Sequence, residues 1–398
     1  MSAVPATNHL DLPFFNAGHQ TLGRELADWV AQQQVDERDD RAACREWVRL
    51  LGVAGWLRYC VPAEFGGALP QLDSRALVIL RETLAFHSPL ADFAFAMQGL
   101  GSGAITLAGT PAQKQRYLGA VAQGKMLAAF ALSETDAGSD AGAMATRAIC
   151  SGAEVTIDGS KTWISNGGIA DYYCVFAKTD PQAGTRGITA YIVDADTPGL
   201  DDSEHIEVMA PHPLATLKFA QCTIPASAQL GELNGGFKLA MRTLDIFRAS
   251  VAAAALGMAR RALAEALSYA QARPMFGQRL ADFQLTQARL GEMAALIDAG
   301  AMLTYRAAWL RDCVGADVPA AAQAYTAAAA MAKMCATENA QRVIDMALQM
   351  HGGMGVKVGS KIESLYRDIR ALRIYEGATE VQQLIIGKSV LKSFSPKA

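Results

Sequence analysis

The sequence predicts an α+β protein, mainly helical. An N-terminal helical domain, a central small β-barrel or sandwich domain and a C-terminal four-helix bundle are expected in that order. Three observations carry this. Apolar residues recur at helical spacing from about residue 20 to 125. Short strand-like runs broken by turn residues fill 126–235. Long alanine-rich stretches with few breakers occupy 236–398. The expected domains are therefore 1–125, 126–235 and 236–398.

In the first stretch, Leu22, Leu26, Trp29 and Val30 share a helical face, as do Leu77, Leu80 and Leu84; Trp47, Leu50 and Leu51 cluster similarly. Pro62, Gly66, Gly67 and Pro70 mark a loop. The run from Gly99 through Gly101 to Gly103 looks like a nucleotide-binding loop, but no strand precedes it and the third glycine is misplaced. Its small residues are expected to let a helix approach another helix or a ligand closely.

In the second stretch, 126–132 reads as a strand. Residues 154–165 alternate on both sides of Asp158-Gly159, the strongest short signal for a hairpin turn. Strands are expected at 172–177, 188–193, 206–209 and 214–219, separated by Pro181, Gly184, Gly187, Pro198 and Gly199. In the third stretch, Leu244, Phe247, Val251, Met258 and Leu263 line a long helix. Residues 279–311, 320–350 and 381–391 supply three more, and short connections imply an antiparallel bundle.

Composition narrows the function. Of 398 residues, 51% are hydrophobic and 19% charged, with net charge −3 and no long basic run, so nucleic acid and anionic membranes are poor partners. No apolar stretch reaches the ~20 residues of a membrane span. The N-terminal segment has no secretory or transit pattern. Seven scattered cysteines without a CxxC pair predict reduced thiols in a cytoplasm and no metal site.

Several motifs can carry chemistry. Residues 130–140, rich in Ser, Thr, Asp and Gly, follow a strand and offer hydroxyls and backbone N–H groups that can line a planar ring. Trp163 can pack on a flat cofactor while Ser165 bonds it; as a strand residue it can equally be core. Arg273 and Gln284 flank a helix junction at Pro274, where they can grip a phosphate or adenine; Arg273 can also simply cap a helix end. Gln349 precedes His351, Gly352 and Gly353, whose exposed backbone can hold a pyrophosphate; His351 is read as structural. Finally, Glu376 sits between Tyr375 and Gly377 in a short apolar run. Burial raises a carboxyl pKa, which suits a base working near neutral pH. Gly377 leaves room for substrate to approach the backbone.

In this order, these motifs resemble the acyl-CoA dehydrogenase family of flavoenzymes, over about residues 15–392. The resemblance implies FAD. Phe130, Leu132, Ser133, Gly138 and Ser139 would border its flavin, with Trp163, Ile164 and Ser165 on the other side. Arg273, Met275, Phe276 and Gln284, with Gln349, Gly352 and Gly353, would hold the adenosine or pyrophosphate of a neighbouring subunit's FAD, so a homodimer or homotetramer is implied. Ser139 would also reach the acyl-CoA. Asp245 and Arg248 match the Asp-x-x-Arg pair that contacts CoA, Lys388 falls where some relatives place a basic CoA contact, and Tyr375 and Gly377 would border the substrate. Glu376 matches the catalytic base. Some relatives place that base just before the arginine of Asp-x-x-Arg, where this chain has Phe247.

The implied reaction is α,β-dehydrogenation of a saturated acyl-CoA to a 2,3-enoyl-CoA, with electrons passed to an electron-transferring flavoprotein. Alternatives are a flavin monooxygenase or oxidase on the same fold, or a catalytically silent acyl-CoA-binding subunit. Two stretches depart from the family pattern. Relatives often read Thr-Ser-Gln after Glu-Gly, whereas this chain reads Ala378-Thr379-Glu380, leaving Thr379 as the hydroxyl expected near the cofactor. Residues 210–219 replace a Gly-x-Arg-x-Ser-type stretch; His212, between two prolines, is expected to be exposed. Residues 95–99 are expected near the acyl end, where Met97 can adapt and Gln98 can bond a polar group, favouring a short, branched or alicyclic acyl chain.

Overall fold

The computed structural model describes residues 8–314 and 319–394; the first seven residues of the N-terminal segment read for targeting lie outside the described residues. The helices are α1 (Ala17–Val30), α2 (Asp40–Val53), α3 (Ser74–His87), α4 (Pro89–Ala108), α5 (Pro111–Ala122), α6 (Gly236–Ala272), α7 (Gln284–Val314), α8 (Pro319–His351), α9 (Lys361–Leu372) and α10 (Thr379–Ser393). The strands are β1 (Ala128–Ala131), β2 (Arg147–Ser151), β3 (Glu154–Ser165), β4 (Tyr172–Lys178), β5 (Ile188–Asp194), β6 (Leu200–Ile206), β7 (Leu214–Pro225), β8 (Gln229–Leu230), β9 (Pro274–Met275) and β10 (Gln278–Arg279). The chain forms two compact units. One comprises Met1–Gln34, Ser74–Asp92 and Ile246–Ala398; the other comprises Val35–Asp73 and Phe93–Asp245.

The first unit is helical. Asn16 starts α1 by accepting the His19 N–H at 3.1 Å while the His19 ring accepts the Asn16 N–H, a reciprocal cap. α7 packs against α3 and α8, and α8 also packs against α9 and α10. Buried alanines on α8, among them Ala329, Ala332, Ala336 and Ala340, keep its neighbours close. The four-helix expectation omitted α9. Its charged residues disguise a buried stripe of Ile362, Leu365, Ile369 and Leu372 at helical spacing, and Ser360 caps it by accepting the Glu363 N–H. Each such side chain contributes roughly 1.5–3 kcal/mol on burial.

The second unit holds an eight-stranded sheet in the order β6-β7-β3-β2-β4-β5-β8, with β1 added in parallel to β4. Tyr173, Val175, Tyr191, Val193, Leu217 and Ile157 fill its core. The Asp158-Gly159 hairpin does not form. β3 runs straight through it, and the real turn is Gly152-Ala153, between β2 and β3. The ladder irregularity here lies in β7, where Ala220 and Gln221 face the single residue Asp158; Gly159 accommodates it with φ +143°, and a Cβ there would lie 2.7 Å from the Thr146 Cα. The Asp158 carboxylate accepts from the Gln221 backbone and side chain, across the sheet. The strand expected at 206–209 lies earlier, at Leu200–Ile206; Pro211 and Pro213 follow, and proline cannot donate to a ladder. Gly101 does permit a close approach, since a Cβ there would lie 2.6 Å from the Ala128 Cβ.

All seven cysteines are free thiols. Among the described residues, no helix is long and apolar enough to cross a membrane.

Candidate active site

Glu376 lies in the connection between α9 and α10. Here the chain takes two consecutive left-handed residues, Glu376 at φ +51° and Gly377 at +91°. A non-glycine residue in that region costs on the order of 1–3 kcal/mol and persists only where its surroundings impose it. The imposing contacts are specific. Lys333 Nζ and Gln382 Nε2 each donate to the Gly377 carbonyl at 2.8 Å, and Gln382 also reaches the Glu376 carbonyl at 3.4 Å. Glu338 accepts from Arg373 Nε at 2.8 Å and Thr379 Oγ1 at 2.6 Å, tying together the two ends of the connection. The need for glycine at 377 is conformational: a Cβ would also come within 2.4 Å of Gln382 Nε2.

Part of the Glu376 surface remains accessible, yet its Oε2 is sealed from solvent and has no hydrogen-bond partner. Burial raises its pKa, with Asp92 adding to the rise; Arg81, Lys333 and Arg248 oppose it. Arg81 and Asp92 form a buried bidentate pair at 2.8 Å, and Arg81 Nη1 donates to Ser250 Oγ at 3.1 Å. Arg81 also donates to the Tyr375 hydroxyl, whose pKa is pushed up by burial. Arg248 is buried on α6; Asp245 lies three residues before it on that helix. Phe247, in the position where some relatives carry the base, is a buried core residue.

In the second unit, the two segments expected around a flavin lie side by side. The Thr162 N–H donates to the Ser133 carbonyl at 3.0 Å. Beneath them Lys161 Nζ donates to Glu134 Oε1 at 2.8 Å and to the Leu132 carbonyl at 3.0 Å, while Glu134 also accepts the Ala145 and Thr146 N–H groups. Phe130, on β1, packs its ring 4.9 Å from that of Phe176, and Gly138 and Ser139 are exposed. A register shift between Lys161 and Ile164 throws Trp163 out of the sheet at φ +60°, leaving it 58% exposed. An indole displayed this way, beside a loop with free polar groups, fits a planar ring system. Ile164 points into the sheet core, so only its backbone is presented.

Arg273 precedes the β9–β10 hairpin, whose tip, Phe276 and Gly277, takes φ +50° and +79°. Phe276 is 89% exposed, and Met275 lies on β9. Gln284 opens α7 and Gln349 lies near the end of α8, and both are exposed. The two segments meet at one groove of about 490 Å³ that Leu280, Leu285, Gln349 and Met350 help to line. Gly352, at φ +56°, and Gly353 continue from it. His351 is structural, as expected, with its Nδ1 2.7 Å from the Ala347 carbonyl and its ring stacked on Tyr269. Lys388 is exposed on α10.

Two expectations are corrected. Gln98 is not available to a ligand: it donates to the Met126 carbonyl at 2.6 Å and accepts the Ala128 N–H at 2.9 Å, anchoring β1. His212 is not loosely exposed. Its ring packs on Phe93 with centroids 3.7 Å apart, its Nε2 lies 3.2 Å from Ser165 Oγ, and burial lowers its pKa to about 3.

The sequence reading missed Arg81, Asp92, Lys333, Glu338 and Gln382. A usable signal existed for Lys333, a single cation inside the apolar run from Ala327 to Ala336.

Comparisons with known proteins identify the family. Three family models match: the acyl-CoA dehydrogenase N-terminal domain at 18–125, the middle domain at 129–222 and the C-terminal domain at 234–391. The chain is 38% identical to the 3-(aryl)acrylate reductase of Clostridium sporogenes, over 95% of this chain and 100% of that protein. It is 37% identical to subunit CarC of the caffeyl-CoA reductase-Etf complex of Acetobacterium woodii, over 85% of this chain and 87% of that subunit. The solved Bacillus anthracis acyl-CoA dehydrogenase complexed with FAD superposes with a TM-score of 0.87 at 29% identity, covering 98% of this chain and 69% of that one. The chain belongs to the acyl-CoA dehydrogenase family of flavoprotein oxidoreductases.

Proposed function

We propose that this protein is an FAD-dependent acyl-CoA dehydrogenase that converts a saturated acyl-CoA thioester to its 2,3-enoyl product, with Glu376 as the base. One observation carries the reading: a carboxylate oxygen sealed from water, without a hydrogen-bond partner, on a backbone held left-handed. Burying an unpaired carboxylate is costly, and such cost is tolerated where the group has chemistry to perform.

When bound, FAD supplies the two-electron acceptor for the hydride leaving the β-carbon. Everything else falls to the chain. Glu376 removes the α-proton, and its raised pKa matches it to that task. The Glu376 backbone N–H, for which the described residues provide no acceptor, can donate to the thioester carbonyl, where charge develops as the proton leaves. Arg248, with Asp245 on the same helix, serves the CoA moiety, as does Lys388. Trp163, Ser133 and Ser165 hold and flank the isoalloxazine, with Lys161 and Glu134 fixing the loop beneath.

The partner that removes electrons is an electron-transferring flavoprotein. The assembly is a homodimer or homotetramer, supported by Phe276, Leu285 and Val358, large apolar side chains left exposed in one unit. The acyl group is short, branched or alicyclic. A second reading runs the same site in reverse, reducing an enoyl thioester; the reductases among the relatives favour it.

An anaerobic titration tests both. Bleaching of the yellow flavin band by one member of a panel of saturated acyl-CoAs establishes dehydrogenation and the acyl class together. Reoxidation of chemically reduced enzyme by an enoyl-CoA, with no bleaching by any saturated thioester, selects the reverse reaction. A flavin-containing protein that responds to neither overturns both.

A further inference from the structure

We propose that Lys333 is a positioning residue for the base: its ammonium holds the Glu376–Gly377 turn through the Gly377 carbonyl and sets a positive charge beside the Glu376 carboxylate. This rests on the reading of Glu376 as the base. Lys333 sits on α8 among buried alanines, and its side chain is 0% exposed. A cation there pays full desolvation, so packing alone does not explain it. Among the described residues its hydrogen-bond acceptor is the Gly377 carbonyl, at 2.8 Å.

That carbonyl already accepts from Gln382 at 2.8 Å. A carbonyl oxygen has two lone pairs, and a second neutral donor would complete it. What a neutral donor cannot supply is charge. The charged groups facing Glu376 are Arg81 from α3, Asp92 from the start of α4, Arg248 from α6 and Lys333 from α8. Arg81 acts most strongly, but Asp92, bound to it through two hydrogen bonds, acts in the opposite sense. Lys333 in turn faces Glu376, Glu338 and Glu380, and Arg248 repels it; Glu376 is its strongest electrostatic partner. Glu338 is already paired with Arg373. Lys333 and Glu376 thus attract each other across the turn, Lys333 acting on the carboxylate second only to Arg81 among the charged groups. Burial lowers the Lys333 pKa to about 8, so the charge is present at neutral pH and lost above it.

The test is the pH dependence of anaerobic flavin bleaching by substrate, in the wild-type, Lys333→Gln and Lys333→Arg holoenzymes. Glutamine keeps an N–H donor and lacks the charge; arginine keeps the charge. In Lys333→Gln the acid limb is expected to move up by about one pH unit or more, so bleaching slows roughly tenfold on the acid side and recovers at higher pH. Lys333→Arg is expected to keep the wild-type acid limb and to lose any rate change near pH 8. An unshifted acid limb in Lys333→Gln overturns the proposal, whatever uniform loss of rate accompanies it. If Lys333→Gln does not accumulate with flavin, Lys333→Arg decides: a rate change near pH 8 that survives there overturns the proposal. Glu376→Gln is run alongside; if it bleaches at the wild-type rate, the base reading fails, and that outcome is separate from an unshifted limb.

Discussion

Arg81 grips Asp92 through two hydrogen bonds, Nε to Oδ1 and Nη2 to Oδ2, each 2.8 Å long, with both side chains almost fully buried. The pair links the middle of α3 to the first turn of α4, and from it Arg81 reaches Ser250 and Tyr375. Its two charges act in opposite senses on Glu376, the neighbour of Tyr375, with Arg81 the stronger.

Asp92→Asn should disturb that balance in a defined direction. It removes a charge that raises the Glu376 pKa and leaves Arg81 as an uncompensated cation. The acid limb of activity should therefore move to lower pH. Stability should fall by roughly 3 kcal/mol, because breaking one partner of a buried pair leaves a charge unpaired. Thermal melting and a pH–rate profile on the same preparation check both parts. An unchanged melting temperature contradicts the role assigned to the pair.

Glu376→Gln should retain FAD and the native assembly but lose turnover by about 10²–10⁴-fold, the usual contribution of a positioned base. Flavin absorbance and single-turnover bleaching, measured together, separate loss of chemistry from loss of cofactor. Wild-type bleaching would place the base elsewhere.

Arg273→Ala should weaken flavin retention in dilute protein by several-fold. Arg273 is exposed beside the β9–β10 hairpin, and its proposed contact is to a neighbouring subunit's FAD. Flavin-to-protein ratio after gel filtration is the measurement, with mass photometry reporting the oligomer. Unchanged flavin content and mass would remove Arg273 from the cofactor site.

His212 makes stability pH-dependent. Its folded pKa is lowered to about 3 from an ordinary 6.5, so between these values the unfolded chain binds a proton that the folded one does not. Stability should be unaffected by this group above pH 6.5 and fall as pH drops from 6.5 toward 3. His212→Gln should flatten that slope by on the order of 2 kcal/mol, less than the full shift because part of the residue stays accessible. Urea unfolding at pH 4.5 and pH 7.5, for both proteins, gives the comparison.

Much of the molecule is legible in its sequence. The helical faces through Leu22 and Leu26 and through Val251 and Met258 are buried as their spacing requires. The reading of His351 as structural holds as well, because a histidine between a helix and glycines has backbone carbonyls within reach. The motif around Glu376 was recognisable, and burial raises its pKa as its apolar neighbours suggested. Asp158-Gly159 misled because its propensity suits the strand facing a bulge as well as a turn, and only the partner strand β7 selects between them.

The sequence by itself determined the long helices, most of the strands, the family, and which carboxylate to suspect. Those properties follow from periodicity and from contiguous motifs, which local chemistry dictates. Only the tertiary structure decided how that carboxylate is controlled. Arg81, Asp92, Arg248 and Lys333 stand on four helices, all of them more than 40 residues from Glu376 in sequence, and nothing in the residues beside each one says that its charge faces inward toward Glu376. Electrostatic control depends on distance and burial in space, and those exist only once the helices have packed.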